Sequence, residues 1–72
     1  MDLIRLKEKD MLSREDAAAR LHAIADELSS GNGIVMSRER LRFVAAVPDE
    51  VSLKTEFEAD DDGAEFEIEL TW

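Results

Sequence analysis

The stretch VSLKTEFEADDDGAEFEIELTW, Val51 to Trp72, decides the fold. Along its first arm Val51, Leu53, Thr55, Phe57 and Ala59 alternate with Ser52, Lys54, Glu56 and Glu58. Along its second, Ala64, Phe66, Ile68, Leu70 and Trp72 alternate with Glu65, Glu67, Glu69 and Thr71. Successive side chains of a strand point to opposite sides, so each arm reads as a strand with one apolar and one acidic face. Between the arms, Asp60-Asp61-Asp62-Gly63 is turn chemistry.

Two registers follow from that turn. A two-residue type I′ turn at Asp62-Gly63, where both central residues need positive φ, sets Phe57 opposite Ile68 and Leu53 opposite Trp72. A four-residue loop, Asp60 to Gly63, sets Phe57 opposite Phe66, Val51 opposite Trp72, and Glu58 and Glu56 opposite Glu65 and Glu67. Either way glutamates face glutamates, each pair costing roughly a few tenths to 1 kcal/mol. Something must offset that repulsion.

The preceding strand offers a candidate. From Arg40 to Val47, Leu41, Phe43, Ala45 and Val47 point one way and Arg40, Arg42, Val44 and Ala46 the other. A turn at Pro48-Asp49-Glu50 pairs Val47 with Val51, which brings Arg42 to Glu56 and Arg40 to Glu58 on the outer face. Farther upstream, Leu3 to Lys9 alternates as a short strand whose Arg5, Lys7 and Lys9 could flank Glu65, Glu67 and Glu69. Ile34-Val35-Met36 begins another strand, and Arg38-Glu39 a tight reversal. Between these, Ser13-Arg14-Glu15-Asp16 has the form of a capping box. Ala17, Ala18, Leu21, Ile24, Ala25 and Leu28 then fall at three and four spacings, a helix of about 17 residues with one apolar stripe. Gly31, in Gly31-Asn32-Gly33, supplies the left-handed residue that ends it.

The expected fold is therefore α+β: one amphipathic helix on one face of an antiparallel sheet of four to five strands, in the order β-α-β-β-β-β. At 72 residues it is a single domain, spanning 1–72, with a small core whose stability is marginal or shared with a partner. The chain contains no cysteine, which excludes disulfides and thiolate chemistry and fits a reducing cytoplasm. No apolar run approaches the roughly 20 residues that span a bilayer, and the first residues lack signal-peptide order, so a soluble, cytoplasmic protein is expected.

Charge narrows the partners. The net charge is -9, yet residues 1–48 balance, eight acids against eight bases, and the whole excess lies in residues 49–72, ten acids against Lys54. Such a surface has no counterion-release drive toward nucleic acid and is repelled by anionic lipid, so neither is an expected partner.

Leu12-Ser13-Arg14-Glu15-Asp16-Ala17-Ala18, the helix closed by Gly31-Asn32-Gly33, Val47-Pro48-Asp49-Glu50-Val51 and the ending Glu65 to Trp72 come in an order that resembles the amphi-Trp domain. That is a small bacterial and archaeal module with an amphipathic alternating stretch and a terminal tryptophan. The resemblance runs from Leu12 to Trp72. It supports the domain and implies no activity, catalytic residue or binding residue.

Candidate sites are few. Trp72 continues the apolar series and either caps the core under the helix or anchors a partner at a rim, the setting that suits an indole. His22 has no partner at a recognisable catalytic spacing and reads as a surface residue. Asp60-Asp61-Asp62-Gly63 lacks the twelve-residue EF-hand pattern and reads as a plain turn. The glutamate rows read as a solvated ion-pair face. With no phosphate loop, nucleotide fingerprint or HExxH motif, no catalytic, metal or cofactor residue is assigned, and an enzyme is not expected. The favoured expectation is a non-enzymatic interaction module, a homodimer or a binder of another protein, using Trp72, Leu70, Arg40 and Arg42. The alternative is a binding protein for a cationic ligand or divalent metal on the acidic hairpin.

Overall fold

The computed structural model of the protein describes residues 4–31, 33–38 (without the Arg38 side chain) and 40–72. Leu3 of the expected first strand, Asn32 of the expected turn and Glu39 of the expected reversal lie outside the described residues. One helix, α1 (Arg14–Ser29), is followed by β1 (Ile34–Arg38), β2 (Leu41–Ala45), β3 (Ser52–Asp60) and β4 (Gly63–Thr71).

Local sequence sets the ends of the helix. The Ser13 hydroxyl accepts the Asp16 amide at 3.1 Å, satisfying one of the orphan donors of the first turn. Glu15 and Asp16 sit in that turn, where the helix dipole favours anions. At the other end the Ser30 amide donates to Asp26 O at 3.0 Å, the Gly31 amide donates to Leu28 O at 3.3 Å, and Gly31 takes φ +79°. The cap at Ser13 and the stop at Gly31 are those the sequence indicates.

Antiparallel pairing also holds, but the strands form two separate two-stranded sheets, β1 with β2 and β3 with β4. A continuous sheet of four to five strands is not present in the described chain. In the first hairpin Ile34 pairs with Ala45 and Met36 with Phe43, and Arg42 lies opposite Ser37 rather than Glu56. The segment after Ala45 runs without strand structure through Val51. The expected Val47–Val51 pairing is therefore not formed, since neither residue lies in a strand. Residues 4–13 likewise contain no strand. They are tied to the helix through acids, not bases: the Arg20 guanidinium bonds Glu8 Oε2 and Asp10 Oδ2, each at 3.2 Å. Among the described residues, no base in 4–9 forms an ion pair with Glu65, Glu67 or Glu69.

The second hairpin follows the register of the four-residue loop, with Phe57 opposite Phe66 and Glu58 and Glu56 opposite Glu65 and Glu67. Pairing continues one step further, to Asp60 and Gly63, which leaves Asp61-Asp62 as the turn. Asp60 Oδ1 accepts the Asp62 amide at 2.8 Å, so the first aspartate closes the bend with its own side chain. Val51 and Trp72, expected to pair, lie just outside the ladder.

Packing between elements is sparse. The helix meets β1, where the Val35 amide donates to Glu27 Oε2 at 2.9 Å, and the second hairpin contacts neither α1 nor the first hairpin element to element. Among the described residues only Gly33 is buried, and no apolar side chain is. The radius of gyration is 14.1 Å, against about 11 Å for a compact chain of this length. The accessible surface is 6877 Å², where a compact chain of the same mass exposes about 4,500 Å². Roughly 2,400 Å² that a finished monomer would hide is in water.

Candidate functional site

The alternation along Val51 to Trp72 builds two unlike surfaces. One face of the second hairpin carries Leu53, Thr55, Phe57 and Ala59 from β3 against Leu70, Ile68, Phe66 and Ala64 from β4, each directly opposite its partner. Phe57 is 69% and Phe66 62% exposed, although they face each other across the ladder. Scattered apolar residues on a surface are ordinary; here an aromatic pair and its aliphatic neighbours share one continuous exposed face.

The acidic face carries the repulsion the sequence indicates. Glu56 lies opposite Glu67 and Glu58 opposite Glu65. The hydrogen bond that a protonated Glu67 donates to the Glu65 carboxylate, and then the Glu65 charge, hold the Glu67 carboxyl above its usual value, and Lys54 pulls the other way. The offsetting cation is thus Lys54 within the hairpin itself: it pairs across the ladder with Glu69 and sits 3.5 Å from Glu56 Oε2. The charge pattern instead points to Arg40 and Arg42 for Glu56 and Glu58, and to Arg5, Lys7 and Lys9 for Glu65, Glu67 and Glu69, none of which pair so among the described residues. Lys54 was visible as the single base on the outer side, and its position opposite Glu69 depended on the register.

Trp72, just past β4, is 58% exposed. It borders an apolar cleft of about 360 Å³ with Ile4, Leu6, Ile34, Met36, Phe43 and Ala45. The indole therefore shares a cleft with the apolar side of the first hairpin, and no α1 residue is among the described residues that line it. Leu70 is half-buried opposite Leu53. Arg40, in the β1–β2 turn, and Arg42, on β2, are exposed, and neither forms an ion pair with another described residue. The four candidate interaction residues thus lie apart: Trp72 and Leu70 at the end of one hairpin, the arginines on the other.

The helix presents a second apolar surface. Ala18, Leu21, His22 and Ala25 line a recess of about 320 Å³ made by α1 alone. On its neighbouring flank Ala17, Arg20, Leu21 and Ile24 border a cleft of about 570 Å³ whose far wall includes Phe66. His22 sits at the edge of the helix recess, a place its sequence context did not indicate. Helix and hairpin therefore face each other across open space.

Glu58, Asp60, Asp62 and Glu65 line a shallow recess of about 260 Å³ at the hairpin tip. Among the described residues, no three His, Asp or Glu side chains converge in a way that could hold a metal ion. No helix among the described residues is long and apolar enough to cross a membrane.

This combination, an amphipathic hairpin closed by a tryptophan behind one capped helix, matches the family model described as the Amphi-Trp domain over residues 2–72. The chain belongs to the Amphi-Trp domain family. The match reaches past Leu12, where the motif resemblance begins, so the segment bonded to Arg20 is part of the Amphi-Trp unit. Its description names a domain and no activity, ligand or partner. No curated protein and no solved structure matches the chain.

Proposed function

We propose that this Amphi-Trp domain is a non-enzymatic cytoplasmic association module, working by burial of the apolar face of its second hairpin and the adjoining Trp72 region. The observation that carries this reading is the exposure of Phe57 and Phe66 together on one side of a hairpin whose other side is acidic. Apolar burial supplies about 25 cal/mol per Å² removed from water, and tryptophan and phenylalanine dominate such contacts. The continuous sheet is the finer form of the same reading. In it, Arg40 and Arg42, unpaired among the described residues, meet the glutamate rows when the hairpins associate.

The test is sedimentation across a wide concentration range of the native chain and Leu53→Glu, which sets a charge on the apolar face. The native chain is expected to exceed the 8.1 kDa of one copy, and the variant to remain at it. A native chain at one-copy mass throughout, with no partner retained by the native face, overturns the reading. The raised Glu67 carboxyl favours one competing possibility, a cationic ligand that relieves the crowded acidic row. Calcium or magnesium titration that leaves Trp72 fluorescence and Tm unchanged removes it.

A further inference from the structure

Resting on that reading, we infer that the cover for the hairpin face is helix α1 of a second copy of this chain, with the contact made twice in a two-fold exchange. Magnitude argues first. The chain exposes about 2,400 Å² beyond a compact monomer of its mass, above the roughly 800 Å² per partner of a standard interface and within the range of obligate homodimers. One face cannot account for it. A hairpin arm of nine residues is about 30 Å long, and two arms about 5 Å apart present a face of only a few hundred Å². A second, comparable surface must be covered in the same event.

The helix offers such a surface. Among the described residues, the recess of Ala18, Leu21, His22 and Ala25 is lined by α1 alone. Its 16 residues span about 24 Å, close to the length of the hairpin. Small alanines beside Leu21 and Ile24 let a sheet approach closely, and a helix on a sheet is the layer arrangement that an α+β unit needs. Charge is compatible: the glutamates occupy the opposite side of the hairpin, so the contact buries none of them. A two-fold axis then gives each helix a hairpin and each hairpin a helix, which leaves neither surface over. Hairpin against hairpin would cover the aromatics and leave Leu21 and Ile24 in water.

The chain has no cysteine, so single thiols report cleanly. Ala18→Cys and Thr55→Cys are conservative changes on the two proposed surfaces, and are mixed and treated with a short bismaleimide. A mixed Ala18→Cys/Thr55→Cys dimer, formed in clear excess over either variant alone, is the expected result. Cross-linking confined to Thr55→Cys with itself overturns the helix-to-hairpin pairing but leaves the association module standing. A one-copy mass at every concentration overturns both. Hydrogen exchange on the unaltered chain needs no variant: on concentration, amides of α1 and of β3–β4 should slow together, and hairpin slowing with an unchanged helix overturns the inference.

Discussion

The two hairpins of this chain are built alike and covered differently. In the first, Ile34, Met36, Phe43 and Ala45 are half-buried beside a helix that meets β1. In the second, nine-residue strands with the cleaner alternation expose Phe57, Phe66, Ile68 and Leu53. The shorter hairpin, with the weaker pattern, has the better shelter. An alternating pattern records the side on which a strand is meant to be buried, not the molecule that buries it.

Phe66→Ala tests this contrast most severely. If the face is covered on association, the change should cost about 3 kcal/mol or more, whereas an aromatic pair left in water loses only about 0.5–1 kcal/mol. We expect the larger figure at high concentration and the smaller in dilute solution, read from paired thermal melts. Gly33→Ala should strike the first hairpin instead. Gly33 takes φ +86°, and an added Cβ would clash with Ala45 O. A loss of about 2–3 kcal/mol is expected from strain and clash, with loss of the β1–β2 cross-strand contacts by NMR. Gly63→Ala meets no neighbouring atom, but Gly63 takes φ +150°, so backbone strain alone should cost about 1–3 kcal/mol.

Glu27→Ala leaves the Val35 amide without its acceptor and should cost about 1–2 kcal/mol, seen as faster amide exchange in β1 with β3–β4 unchanged. The smallest effect is the pH response of the acidic face. Because the folded hairpin raises the Glu67 carboxyl, it holds that proton more tightly than the unfolded chain does. The stabilisation from protonation is complete below the usual 4.5 and is lost as pH rises through the raised folded value. Melts of the native chain should therefore show a higher Tm near the carboxylate range than at neutral pH, and Glu67→Gln should flatten part of that slope.

How far the sequence could be read follows from the same contrast. Ser13, Gly31 and the period-two arms act within a few residues of themselves, so helix ends and strands were legible from spacing. Charge complementarity was a weaker guide. It set Arg42 beside Glu56 and the bases of 4–9 beside the glutamates of β4, but Arg42 lies opposite Ser37, and 4–13 follows the helix through Arg20. Exposed ion pairs are worth only about 0–1 kcal/mol, too little to join two hairpins across Pro48. Of the candidate site, the apolar series through Phe57, Phe66 and Trp72 was visible in the alternation. The helix-only recess was not, because its emptiness depends on where the other elements stop.

The facing glutamates have a further consequence, for what the hairpin does not become. Both of its outer strands present unpaired backbone, the usual template for endless stacking into fibres. In-register stacking of copies along those edges would align Glu56, Glu58, Glu65 and Glu67 into columns of like charge, whereas a closed pair of chains stacks none of them. The acidic side is therefore expected to slow filament growth, and molar salt, where screening shortens to about 3 Å, should speed it if the charges act this way.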